Sequence, residues 1–149
     1  MFETYTTVIG NVVSDPRRRQ TAGGEEVISF RVACNSRRMD RRTQEWIDGP
    51  ALYLTVSCWR RLLTGVGAAI AKGRPIIAHG QIKTNEYVAA DGEKRSDLEM
   101  TALTVGLDLS RCVAIYQEPR MEVVEMLPAV ETVDEPSADV SDDARLPAA

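Results

Sequence analysis

Residues 51–61 read ALYLTVSCWRR, and this stretch decides the fold. Side chains in a strand alternate between its two faces, so the pattern predicts a strand whose core face is aliphatic and comprises Leu52, Leu54, Val56 and Cys58. The opposite face carries Tyr53 and Trp59 among small hydroxyl side chains, and two arginines follow at once. Such a face fits either a surface on which nucleotide bases stack or a half-exposed strand whose aromatic side chains lie at a subunit interface.

The sequence on either side of this strand predicts four more strands and one short helix. The strands are expected at residues 4–13, 27–35, 75–87 and 94–107, and the helix at residues 60–72. Residues 14–26 and 36–50 are predicted as polar loops, and residues 90–93 as a hairpin turn. Three strands, a helix and two strands is the order of the five-stranded Greek-key barrel called the OB-fold, with an open α+β sheet as the alternative. We therefore predict an all-β OB-fold barrel.

Charge is divided unevenly along the 149 residues. The net charge is −4, yet residues 1–110 hold 15 basic and 13 acidic side chains, whereas residues 111–149 hold 3 and 9. The second segment also contains several prolines and almost no aromatic residues. We predict a binding domain at residues 1–110 and a disordered acidic tail at residues 111–149, in which residues 111–116 can form a short extra strand.

Several classes of protein and site are excluded by what the sequence lacks. It contains no apolar run of the length of a signal peptide or a membrane span, so we expect a soluble, cytoplasmic protein. The three cysteines are widely spaced and His79 is the only histidine, which argues against a disulfide framework or a zinc site. No carboxylate pair or nucleophile motif is present. We expect no enzymatic activity, no metal and no cofactor.

The candidate binding residues combine aromatic rings with cations. Stacking on an aromatic ring is worth about 1–3 kcal/mol per base and tolerates any base, since every base has a π-face. Arginine supplies phosphate contacts beside the rings. The candidates are Arg31 and Asn35 on the second predicted strand, Tyr53, Trp59, Arg60 and Arg61 on or after the third, Lys83, Asn85 and Tyr87 on the fourth, and Arg37 and Arg38 on the long loop.

Short motifs in a fixed order carry a family resemblance. They are Gly10, Asp15-Pro16, Arg19, Gly24, Phe30-Arg31-Val32-Ala33, Asn35, Trp59-Arg60, Lys72-Gly73, Gly80, Tyr87, Asp91-Gly92, Arg95 and Glu99. In this order and spacing, residues 6–109 resemble the bacterial single-stranded DNA-binding proteins, and in particular a secondary paralogue of the actinobacterial type.

The resemblance implies what the chain binds and how it assembles. It implies an OB-fold subunit of a homotetramer that wraps single-stranded DNA and stacks bases on Tyr53, Trp59 and Tyr87. A further stacking position of the family falls near Arg38, where arginine stacks less strongly. The implied roles are sequence-independent DNA binding in replication, recombination or repair, in the cytoplasm and at the nucleoid.

Departures from the family pattern qualify these expectations. Arg17 stands where the family usually has an acidic residue, and the sequence closes on residues 141–149, SDDARLPAA, without the family's acidic tip ending in Pro and Phe. We therefore expect poor recruitment of replication and repair proteins through the tail. The main alternative is an OB-fold protein-interaction subunit with weak DNA binding, and the sequence does not decide between DNA and RNA.

Overall fold

The computed structural model describes residues 1–119, which form a closed barrel with one helix. Its elements are β1 (Tyr5–Val12), β2 (Arg17–Gln20), β3 (Glu26–Met39), β4 (Trp46–Trp59), α1 (Leu62–Ala69), β5 (Pro75–Val88) and β6 (Lys94–Leu107). The strands follow the order β1-β5-β6-β4-β3-β2, and β1 also pairs with β3. This extra pairing closes a ring of five strands and leaves β2 outside it. The predicted OB-fold, with its helix after the third barrel strand, is confirmed, and the open-sheet alternative is wrong.

The two predicted loops are shorter than expected because both contain strand. Within residues 14–26, Arg17–Gln20 pairs antiparallel with β3 as β2. Within residues 36–50, β3 continues to Met39 and β4 begins at Trp46, so only residues 40–45 connect them. All four residues of β2 are exposed, as are most of those at the far ends of β3 and β4. Strands that bury no face lack the period-two hydrophobic pattern on which the prediction depended.

The core is formed by the inward faces of all five barrel strands. Leu54, Val56 and Cys58 are fully buried, as the alternation predicted, together with Phe30 and Met100. Leu52 is the exception, since it is 45% exposed beyond the end of the barrel interior. Burial also raises the pKa of the Cys58 thiol to about 12. Cys58 is therefore a core residue, as the sequence indicated.

The barrel closes where β1 meets β3. Asn11 and Val12 pair with Ala33 and Val32, and a side chain at Gly10 would collide with the carbonyl oxygen of Ala33. Only a residue without Cβ lets the two backbones approach this closely. Gly10 is therefore needed for closure of the barrel.

The chain after β6 is fastened to the barrel by Arg111. Its guanidinium donates hydrogen bonds at 2.9 Å to the Asp108 carboxylate, the Asn11 side-chain oxygen and the Gly10 carbonyl oxygen. Hydrogen bonds from Ser110 and from Arg111 hold the pKa of Asp108 below its usual value. Residues 112–119 contain no helix or strand, so the extra strand considered for residues 111–116 is not formed.

Part of the predicted tail, residues 120–149, lies outside the described residues, and the domain boundary at residue 110 stays a prediction. None of the helices within residues 1–119 has the length and hydrophobicity needed to cross a membrane. The same residues contain no cluster of three or more histidine, cysteine or acidic side chains that could hold a metal ion.

Candidate nucleic-acid interface

One outer face of the barrel runs without interruption across four neighbouring strands. Arg31 on β3 is in register with Thr55 on β4, Thr55 with Glu99 on β6, and Glu99 with Lys83 on β5. Residues in register across a sheet point to the same side, so these four side chains form a row. We call this the central row. It places two of the predicted cations on one surface, with an acidic side chain between them.

The predicted aromatic residues lie on the same face on both sides of the central row. Successive side chains on one face of a strand are two residues apart, and we call this spacing one step. Tyr53 is one step from Thr55 along β4, towards the β3–β4 turn, and is 52% exposed, opposite Ala33. Tyr87 is two steps away in the same direction on β5 and is 42% exposed, opposite Arg95. Trp59 is two steps away in the other direction, half-buried against Val27. The three rings are thus spread over the length of the face.

The two predicted amide side chains occupy this face as well. Asn85 is one step from Lys83 along β5 and opposite Asp97, and Asn35 is two steps from Arg31 along β3 and opposite Ala51. Both are exposed. The structure therefore brings Arg31, Asn35, Tyr53, Lys83 and Asn85 together around the central row.

Arg37 and Arg38 lie on strand rather than on a loop that folds over the face. Beyond an irregularity between Asn35 and Arg37, the ends of β3 and β4 continue as a projecting hairpin in which Arg37 is opposite Asp48 and Arg38 is opposite Ile47. Successive side chains alternate, so the two arginines point to opposite sides of this hairpin. The prediction that residues 36–50 form a loop is therefore wrong for Arg37 and Arg38, which belong to β3.

The predicted cations differ in whether they already have an acidic partner. Arg37 pairs with Asp48 at 3.1 Å and Arg60 with Glu25 at 3.0 Å. Within residues 1–119, no acidic oxygen lies within 4.0 Å of the charged nitrogens of Arg31, Arg38, Arg61 or Lys83. Exposed ion pairs contribute at most about 1 kcal/mol, so a phosphate can displace either carboxylate.

Arg60 and Arg61 follow Trp59 where the chain leaves the sheet. Arg60 has a left-handed backbone, with φ of 52°, and this turns the chain from β4 into α1. A small cleft beside Trp59 is lined by Arg60, Glu25 and Thr101. Trp59 and Arg60 are therefore neighbours, and Arg61, at the start of the helix, lines a second cleft with both of them.

Three residues of this face were not among the binding residues predicted from the sequence, although two of them belong to the family motifs and the third is a departure from the family pattern. Glu99 occupies the centre of the row, and its carboxylate accepts a hydrogen bond of 3.2 Å from the hydroxyl of the buried Ser57. Arg17 and Arg19 enter the face through β2, because they are opposite Ser29 and Val27. Glu99 stands between the apolar Leu98 and Met100, and this alternation indicates that its side chain faces outward. Nothing in the run of three arginines indicates which of them share a face.

Similarity to known proteins agrees with this architecture. Residues 4–108 match the family model described as "Single-strand binding protein family". A single-stranded DNA-binding protein of Corynebacterium glutamicum is 40% identical over 119 residues, which are 79% of this chain and 53% of the relative. Single-stranded DNA-binding protein 2 of Streptomyces coelicolor is 40% identical over 112 residues, 75% of this chain and 56% of the relative. The chain thus spans about half the length of these curated relatives.

Solved structures show the same similarity. The small single-stranded DNA-binding protein from Streptomyces coelicolor superposes with a TM-score of 0.68 at 32% identity, over 75% of this chain and all of that one. The second single-stranded DNA-binding protein (SSBb) from Mycobacterium smegmatis superposes with a TM-score of 0.62 at 40% identity, over 78% of this chain and all of that one. Since the family match extends over the whole barrel, from β1 to the end of β6, the chain belongs to the single-strand binding protein family.

Proposed function

We propose that the chain binds single-stranded DNA without sequence preference, on the outer face built around the central row, in support of replication, recombination or repair. The observation that carries this proposal is the shared face of Tyr53, Arg31 and Lys83, an exposed ring beside two cations that have no acidic partner within residues 1–119. The relatives named for single-stranded DNA binding support the same ligand.

The chemistry of the face accounts for binding without sequence preference. Stacking on a ring is worth about 1–3 kcal/mol per base whatever the base, and phosphate contacts depend on charge alone. We propose that Tyr53, Trp59 and Tyr87 stack bases and that Asn35 and Asn85 donate hydrogen bonds to the strand. The cations proposed to contact phosphates on this face are Arg31, Arg60, Arg61 and Lys83, and we propose that Arg37 and Arg38 contact the strand from the two sides of the projecting hairpin. This function needs no catalytic residue and no cofactor.

We further propose that the subunits assemble as a homotetramer, which works in the cytoplasm at the nucleoid. Exposed apolar side chains on β1 and β5 support assembly, because Ile9 and Ile77 lie opposite each other and are 57% and 40% exposed. Tyr5 of β1 is 48% exposed and stacks on His79 of β5. Such an apolar surface fits an interface between copies rather than a phosphate-binding face.

The test is fluorescence titration with oligo-dT of increasing length, with the molecular mass measured in parallel. The chain has two tryptophans, so Trp46→Phe leaves Trp59 as the only tryptophan reporter. We expect strong quenching of Trp59 in this variant, and we expect Trp59→Ala to weaken binding by about 1–3 kcal/mol for each base stacked on it.

Two results would contradict the proposal at different levels. If Trp59→Ala binds poly-dT as tightly as the parent does, Trp59 is not one of the stacking residues. No binding of oligo-dT by the parent would refute the function itself and favour the protein-interaction alternative. Because Trp59 lies opposite the buried Val27, thermal unfolding of each variant serves as the folding control.

A further inference from the structure

The edge strand β2 carries three consecutive arginines, which the register sorts onto two faces. Arg17, Arg18 and Arg19 are opposite Ser29, Ile28 and Val27. Ser29 and Val27 are in turn opposite Ser57 and Trp59, which belong to the outer face. Arg17 and Arg19 therefore extend that face by one strand, whereas Arg18 points to the other side.

Arg18 is engaged with other parts of the fold. Its guanidinium pairs with Glu26 at 3.3 Å, and a side chain added at Gly67 of α1 would contact it. Within residues 1–119, Arg17 has no acidic oxygen within 4.0 Å of its charged nitrogens. Two neighbouring residues of one strand thus have the same charge but different surroundings.

Arg17 and Arg31 line the same cleft, between β2 and the central row. The hydroxyl-bearing residues Ser29 and Thr55 form part of its lining, and Asp15 is the acidic residue that lines it. Two guanidinium groups beside hydroxyl donors, with one carboxylate, form a site of net positive charge. Guanidinium groups match the geometry of phosphate oxygens and remain charged at any physiological pH.

We propose that this cleft is an additional phosphate-binding site for the backbone of single-stranded nucleic acid, with Arg17 as its principal residue and Arg31 as the link to the central row. The proposal rests on the function proposed above and lengthens its surface: the strand would continue from the central row across β3 onto β2. Arg19 lies on the same extension of the face, because it is opposite Val27 and Val27 is opposite Trp59.

The experiment compares Arg17→Ala with Arg18→Ala in the full chain, which removes the same charge from opposite faces of one strand. For single strands, the logarithm of the binding constant falls with the logarithm of the salt concentration by about 0.7 for each phosphate neutralised. We therefore expect Arg17→Ala to reduce the slope for oligo-dT by about 0.7, and to weaken binding about fivefold at 0.1 M salt. Arg18→Ala should leave the slope unchanged, and Arg17→Lys should restore it.

Equal slopes and affinities for Arg17→Ala and Arg18→Ala would overturn this inference alone, provided that the parent binds oligo-dT and that Trp59 is quenched in Trp46→Phe. Failure of the parent to bind oligo-dT would overturn both the inference and the proposed function. Thermal unfolding checks that each variant is folded, and β2 is suited to substitution because all four of its residues are exposed.

Discussion

Glu99 is an acidic side chain at the centre of a surface proposed to bind a polyanion. It is in register with Lys83 on one side and with Thr55 on the other, and Arg31 lies one strand further. Glu99→Gln removes its charge but keeps an oxygen that can accept the hydrogen bond from Ser57. The substitution therefore isolates electrostatic repulsion between the carboxylate and a bound phosphate.

The spacing of the strands gives the size of the effect. Neighbouring strands lie about 4.8 Å apart, and the cations of the central row lie one and two strands from Glu99, so a phosphate held between one and two spacings away is about 7 Å from the carboxylate. At that distance the repulsion is about 0.6 kcal/mol in bulk water and about 2 kcal/mol at the effective dielectric of a protein surface. Screening over a Debye length of about 8 Å at physiological salt reduces this to roughly 0.3–1 kcal/mol. We expect Glu99→Gln to bind oligo-dT about two- to fivefold more tightly.

Equilibrium titration with oligo-dT at low and high salt measures this gain. Thymine lacks the amino group of cytosine and adenine, which keeps hydrogen bonds from exocyclic amines to the carboxylate out of the measurement. The matched control is Glu118→Gln, which removes the same charge from the exposed chain after the barrel. The gain should shrink as salt rises and be absent from the control. Unchanged or weaker binding by Glu99→Gln would refute the reasoning.

Two further predictions concern the fold. Burial raises the pKa of the Cys58 thiol to about 12, so iodoacetamide at pH 8 should leave Cys58 unmodified in the folded protein and alkylate it on unfolding. Mass spectrometry measures the modification, and alkylation of Cys58 in the folded protein at the rate of a free thiol would contradict this prediction. Hydrogen bonds from Ser110 and Arg111 lower the pKa of Asp108 in the folded state. The contribution of Asp108 to stability is therefore fully present above the pKa of an unfolded aspartate, about 3.9, and is lost as the pH falls through the lower pKa of the folded state. The melting temperature of Asp108→Asn should therefore lie below that of the parent at pH 6 and approach it towards pH 2, whereas a constant difference would contradict the assignment.

The fold was predictable where one face of a strand is buried. Residues 51–59 were recognised because apolar and polar side chains alternate there, and the bounds of β6 also agree with the prediction. β2 and the ends of β3 and β4 were missed for the same physical reason, since backbone pairing forms those strands while their side chains stay in solvent. Hydrogen bonds between backbones leave no trace in the hydrophobic pattern.

The candidate site was predictable only as a set of residue types. Tyr53, Arg31 and Lys83 were placed on outer faces by their own strands, but their meeting in one row depends on registers between β3, β4, β6 and β5. The parallel pairing of Thr55 with Glu99 brings together strands that are distant in sequence, and it determines that a carboxylate lies between the two cations. Local alternation contains no information on such a register.

The acidic side chains of this face also bear on how binding depends on salt. Arg37 and Arg60 each hold a carboxylate partner, so a phosphate that binds them replaces an existing ion pair and gains only the difference. Salt screens the original pair as well as the new contact, so these two arginines add less to the salt dependence than an unpaired cation does. Arg31, Lys83 and Arg17 have no such competitor within residues 1–119. The salt dependence should therefore follow the unpaired cations, so substituting Arg17 is expected to change it more than substituting Arg60, although Arg60 lies next to a proposed stacking ring.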